Sequence, residues 1–202
     1  MNARCLNNSF SNAMASAESP EQVIRRFAAI LEKVRIPYML TGSFACGFHG
    51  APRATQDIDL VIAPNLGSLR RLLDALPGDR YYVSREAALD AYGQESLFNV
   101  VDKATGWKID LICRKSREFS ITKFDRRTKE AFLGQPVYVA SAEDTIIAKL
   151  EWAKLSESDR QLEDAAGIVR VQGDDLDVSY ISTWIAKLGL SEQWEKAKAL
   201  AG

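Results

Sequence analysis

Thr55-Gln56-Asp57-Ile58-Asp59-Leu60-Val61-Ile62 sets two carboxylates on one side of a strand. Side chains alternate at period 2, so Ile58, Leu60 and Ile62 share one face and Asp57 and Asp59 the other. Carboxylates two residues apart on one face repel. The pair is tolerated where the face is wet or a cation lies between them. Upstream, Leu40-Thr41-Gly42-Ser43 reads as a strand end turning into a helix. Gly42 permits the tight turn, and a helix opening at Ser43 offers free N–H groups and a positive dipole end to phosphate. A phosphate cradle beside a carboxylate pair is what metal-assisted chemistry on a nucleotide needs.

The 202 residues leave room for one domain, or for one domain with a helical annex. A hydrophobic content of 47% supports a packed core, and a net charge of −1 gives no global signature for nucleic acid. Cys5, Cys46 and Cys113 are far apart and odd in number, which makes neither a disulfide framework nor a zinc pattern. They fit reduced thiols, and with them a cytoplasmic protein. No apolar run approaches the ~20 residues of a membrane span, so no membrane partner is expected. Residues 1–18 lack the apolar centre of a secretory signal and read as a disordered leader.

Ser19-Pro20-Glu21-Gln22 opens a helix, with Val23, Phe27, Ile30, Leu31 and Val34 at helical spacing behind it. Tyr38-Met39-Leu40 is a short buried strand, and a short helix runs from Ser43 towards Gly50. After the carboxylate strand come an amphipathic helix (66–76), a turn at Pro77-Gly78-Asp79 and a short helix at 84–92. Two strands, 96–101 and 107–112, flank a loop of hairpin length and are expected to pair antiparallel. Residues 118–132 are weakly patterned. Gln135 to Val139 reads as a last strand, at an edge because of Pro136. From Ser141 only helices appear, about 141–155, 158–170, 177–188 and 191–200. The fold class is therefore α+β, a small mixed sheet flanked by helices (19–140) with a C-terminal helical annex (141–202).

Asp110 supplies a third carboxylate. In Lys108-Ile109-Asp110-Leu111-Ile112, Lys108 and Asp110 face opposite to Ile109 and Leu111. If this strand lies beside 57–62 with polar faces matched, three carboxylates converge, and that set can bind two Mg²⁺ ions. Without cations the three would repel strongly in a partly buried cleft.

Strand–Gly42-Ser43–helix, then Asp57-Ile58-Asp59 on the next strand and Asp110 on a later one, resembles the nucleotidyltransferase superfamily of the DNA polymerase-beta type. The run from Thr41-Gly42-Ser43 through His49-Gly50 to Arg53-Ala54-Thr55-Gln56-Asp57 is most similar to small bacterial members near the AbiEii toxins. The likeness covers about residues 38–170. It implies a palm-like sheet and a Mg²⁺-dependent enzyme that moves a nucleoside monophosphate from an NTP, ATP among the candidates, to a hydroxyl acceptor. Gly42 and Ser43 would grip the β- and γ-phosphates. Asp57, Asp59 and Asp110 would be catalytic and hold metal, and Arg53, Lys108 and Lys149 would neutralise triphosphate charge. Arg160 and Asp164 match a helical Arg/Asp segment of the group and alternatively form a surface ion pair at i,i+4. A toxin-like role implies an RNA or protein acceptor and a cognate antitoxin. Two other readings stay open: a non-catalytic nucleotide- or partner-binding module on the same fold, and an antibiotic-modifying nucleotidyltransferase.

Other residues attract plainer readings. His49, the single histidine, has no Ser or Cys arrangement around it and reads as structural. The basic stretch from Arg114 to Lys129 is either an RNA-contacting face or a solvated surface. Trp152, Trp184 and Trp194 read as annex core.

Overall fold

The structure is a computed structural model that describes residues 18–132 and 135–202; residues 1–17 of the expected leader lie outside the described residues. Seven strands form one mixed sheet in the order β3-β4-β5-β2-β1-β7-β6. In chain order they are β1 (Tyr38–Leu40), β2 (Asp57–Ile62), β3 (Tyr81–Val83), β4 (Leu97–Asp102), β5 (Lys108–Cys113), β6 (Thr128–Phe132) and β7 (Gln135–Val139). The helices are α1 (Pro20–Lys33), α2 (Gly42–Phe48), α3 (Leu66–Ala75), α4 (Arg85–Gly93), α5 (Glu118–Asp125), α6 (Ala142–Ser156), α7 (Asp159–Gln172), α8 (Val178–Leu188) and α9 (Ser191–Ala201).

The period-2 pattern works as read. Ile58, Leu60, Ile62, Ile109 and Leu111 are fully buried, and they pack with Phe27, Leu31, Leu69 and Leu72 of α1 and α3. That leaves Asp57, Asp59, Lys108 and Asp110 on the other face. The strands β4 and β5 pair antiparallel as expected, with Asn99 opposite Asp110. Past Asp59 and Asp110 this second face closes over: Met39, Val61 and Phe124 form a small cluster with Ile112 against it. The α6–α9 helices hold their own core around Ile146, Ile147, Leu150, Leu162, Ile168 and Trp184. Among the described residues, no helix is long and apolar enough to cross a membrane.

Three expectations change. Residues 118–132, weakly patterned in sequence, form α5 and β6, and β6 takes the sheet edge expected for β7. Pro136 fits because β7 meets β1 only at Val139–Leu40, so beside Pro136 stands β6 alone. A strand at Tyr81–Val83 was not legible, since a three-residue element shows little periodicity. Trp152, expected in the annex core, is 59% exposed, whereas Trp184 and Trp194 are buried.

At the far edge, fully buried Asp102 accepts from Arg26, and Arg80 Nη2 lies 3.4 Å from it. Removing one partner of such a group strands the rest. Asp102→Ala is expected to cost about 3–5 kcal/mol in urea denaturation, while Lys196→Ala, in an exposed helical pair, shifts it by less than about 0.5 kcal/mol.

Candidate active site

The site is built on the parallel pairing of β2 with β5, which puts Asp57 beside Lys108 and Asp59 beside Asp110. Partners in register lie on one face, so all three carboxylates converge as the sequence implies. Lys108 Nζ lies 3.1 Å from Asp57 Oδ1 and 3.2 Å from Asp110 Oδ2. The other Asp110 oxygen accepts from Asn99 Nδ2 at 2.6 Å. Burial, then the neighbouring Asp110 charge, raises the Asp59 carboxyl from 3.8 to about 6.

Gly42 crosses directly above Asp59. A Cβ on Gly42 would stand 2.0 Å from Asp59 Oδ2, and its φ of +63° lies in the left-handed region. Both constraints demand glycine. Thr41 N–H donates to Asp59 C=O at 3.0 Å, which fixes the turn against the carboxylate strand. Ser43, buried at the start of α2, lines an open cleft of about 670 Å³ with Arg53, Thr55, Gln56, Asp57, Asp59, Arg160 and Gln161.

The basic residues divide. Lys149 is buried on α6 and donates to Asp164 Oδ2 at 2.7 Å, and Arg53 Nε reaches the same oxygen at 3.2 Å. Asp164 thus pairs with Lys149 and Arg53, not with Arg160 at i,i+4. Its bridge ties the α2–β2 loop to α6 and α7. The Lys149 charge favours the ionised form of Asp59. Arg160, which the resemblance had singled out together with Asp164, lines the cleft; Gln161 beside it was not separable in sequence from an exposed first turn of α7. Asn99 was hidden too, because it reaches Asp110 only through strand register. His49 is buried with Nε2 2.7 Å from the Ala140 carbonyl, a structural role.

A divalent ion suits this donor set: the ligands are hard carboxylate oxygens, and Asp59 and Asp110 repel until a cation joins them. Among the described residues no three such groups already stand in a ligand cluster; the Lys108 ammonium lies between Asp57 and Asp110 instead.

No family model matches the chain, and no curated protein matches it in sequence. Solved structures share its architecture. An antigenic nucleotidyltransferase-like protein from Paracoccidioides brasiliensis superposes with a TM-score of 0.57 at 19% identity, over 89% of this chain and 92% of its own. ANT(2'')-Ia in complex with adenylyl-2''-tobramycin gives 0.54 at 15% identity, over 86% and 98%. The lincomycin-bound lincosamide antibiotic adenylyltransferase LnuA gives 0.51 at 10% identity, over 74% and 96%. The chain has the nucleotidyltransferase fold. Within it, Ser43, Asp57 and Asp59 line one cleft, with Gly42 over Asp59 and Asp110 beside Asp59 in register.

Two outcomes follow from the packing. Gly42→Ala is expected to lower stability by at least about 1–2 kcal/mol from backbone conformation alone, read as a thermal melt. Because its folded pKa is raised, Asp59 binds more protons folded than unfolded between about 4 and 6, so its effect on stability worsens as pH rises through that window. Without divalent ions, Asp59→Asn is therefore expected to melt on the order of 3 °C above the parent at pH 7.5. The difference should vanish near pH 4.

Proposed function

We propose that this protein is a Mg²⁺-dependent nucleotidyltransferase. The observation that carries the reading is the in-register convergence of Asp59 with Asp110, Asp59 lying beneath Gly42 and at a cleft lined by Ser43, Arg53 and Arg160. A binding module gains nothing from two carboxylates that repel one another, while two-metal chemistry requires such a pair. In this reading residues 19–140 carry the chemistry and residues 141–202 buttress it.

Asp57, Asp59 and Asp110 would hold Mg²⁺, two ions in all. Bound there, the metal would neutralise phosphate charge and lower the pKa of the attacking hydroxyl. The chain's own residues do the rest. Gly42 and Ser43 hold the β- and γ-phosphates. Arg160 and Arg53 supply positive charge across the cleft, Arg53 held in place by Asp164. Lys149, paired with Asp164, adds positive charge that favours the ionised form of Asp59 against its burial and the Asp110 charge. Lys108 turns from the carboxylates to the phosphates. The acceptor oxygen bonds to the α-phosphorus, its proton passes to Asp110, and the bond to pyrophosphate breaks.

The resemblance to the toxin group carries an RNA or protein acceptor and an antitoxin partner. A small-molecule acceptor finds support in ANT(2'')-Ia and LnuA, which share the fold. One observation favours the small molecule: three arginines of the basic stretch read as either an RNA-contacting face or a solvated surface are engaged internally. Both Arg117 guanidinium ends bond Glu151 at 2.6 Å. Arg126 pairs with Glu143 and Asp144 and stacks 3.8 Å from the Tyr180 ring centroid, and Arg127 stacks on Phe124 and Tyr138.

The test supplies each α-labelled NTP with Mg²⁺ and fractionated cell extract. Asp59→Ala and Asp110→Ala are expected to reduce label transfer by at least about 10³-fold. Arg160→Ala is expected to raise the KM for NTP roughly tenfold with less effect on kcat, and Arg160→Lys to recover part of it. Tight NTP·Mg²⁺ binding with no transfer to any fraction would assign the fold to the binding module instead.

A further inference from the structure

The face that carries the three carboxylates continues past β5. Strand register places Val101 beside Lys108 and Tyr82 beside Val101, Asn99 beside Asp110, and Leu97 beside Ile112. The opposite side chains of the same strands, Tyr81, Phe98 and Val100, are packed in the core. On the carboxylate face Tyr82 is 63% exposed and Leu97 49%. An apolar side chain left open on the interior strand β4 and an aromatic one on the edge strand β3, both next to a reactive cleft, mark a surface meant to be covered.

Transfer geometry says by what. The incoming hydroxyl and the departing pyrophosphate lie on opposite sides of the α-phosphorus. Gly42 and Ser43 follow β1, on one side of β2, and the cleft with Ser43, Arg53 and Arg160 reaches Asp57 and Asp59 without including Asp110. The hydroxyl therefore approaches from the other side, over Asp110 and across β5, β4 and β3. Tyr82 stands two strand spacings, at about 4.8 Å each, from Lys108, and Asp110 lies two residues further along β5, so the ground between Asp110 and Tyr82 is roughly 12 Å, the length of a two-ring molecule. The charge on this ground is sparse. Lys108 is its cation, already shared between Asp57 and Asp110, and β4 and β3 add only Asn99, Tyr82, Leu97 and Val101. A polycation finds one carboxylate there beyond those of the site, Glu95 just ahead of β4 and already bonded to Ser116, whereas an apolar ring finds Tyr82 and Val101 side by side, with Leu97 beyond Asn99.

We propose that the uncovered face of β4 and β3, with Tyr82, Leu97, Asn99 and Val101, is the acceptor platform, and that it takes an uncharged small molecule whose hydroxyl stands beside an apolar or aromatic ring. This rests on the nucleotidyl-transfer reading above. Asn99 both holds Asp110 and faces the platform, so it orients the proton acceptor towards the incoming hydroxyl.

The experiment uses the whole chain, Mg²⁺, α-labelled NTP and, in parallel, the small-molecule, RNA and protein fractions of a bacterial lysate, with tobramycin as a polycationic probe. NTP binding is measured separately by equilibrium titration. Label is expected on an uncharged component of the small-molecule fraction and not on tobramycin. Tyr82→Ala and Leu97→Ala are expected to raise the acceptor KM roughly tenfold each, with the KM for NTP unchanged and the thermal melt within a degree or so of the parent, since both side chains are exposed. Label on RNA, protein or tobramycin, or an acceptor KM that stays within about twofold in both variants, would overturn the platform. A chain that binds NTP yet labels no fraction overturns it as well. A chain that binds no NTP fails one step earlier, at the nucleotidyltransferase reading itself.

Discussion

Everything at the candidate site depends on two carboxylates held closer than they would choose. Asp59 and Asp110 face the same way from adjacent parallel strands, and Gly42 presses on Asp59 from above. Neither can turn away, because the backs of both strands are locked by Ile58, Leu60, Ile109 and Leu111 in the core. Burial and mutual repulsion lift Asp59 to about 6, so near neutral pH the folded chain stores unfavourable charge that a cation relieves. Lys108 supplies part of that relief between Asp57 and Asp110. A divalent ion would supply more, and the sheet is stiff enough to hold the ligands together against their repulsion until it arrives.

The helical annex serves the same constraint. Lys149 and Asp164 are buried on α6 and α7, and the Asp164 carboxylate collects Lys149 from one side and Arg53 from the other. Burying Lys149 and Asp164 is tolerable because the two compensate one another, and the half-buried Arg53 fixes the loop before β2 against the annex. Close packing of Gly167 on Ala51 and of Gly50 on Val171 brings the same two segments together. The annex thereby places Arg160 at the cleft opposite Asp57 and Asp59, so the α/β core alone would present an incomplete set of charges.

How much of this could be read from the chain depends on how local each signal is. Asp57, Asp59 and Asp110 were legible because period-2 alternation assigns their face without reference to anything distant, and Gly42 because a turn between strand and helix calls for glycine. The in-register meeting of Asp59 and Asp110 needed a parallel pairing that no local pattern encodes. Asn99 and Tyr82 enter only through that register. Asp164 looked like a helical partner of Arg160 because i,i+4 spacing is all a sequence displays; its real partners are 15 and 111 residues away. Trp152 looked like core because aromatic residues usually are, yet it lies on the outer side of α6. The β3 and β6 strands escaped because three residues, or five with charges among them, carry too little periodicity to be seen.

The most direct measurement of the central claim counts divalent ions at the carboxylates. Mn²⁺ binding followed by electron paramagnetic resonance, with a non-hydrolysable NTP analogue present, is expected to give two ions per chain in the parent and one in Asp110→Asn, the protein remaining folded. An unchanged stoichiometry in that variant, or a parent that binds the analogue without any Mn²⁺, would contradict the account.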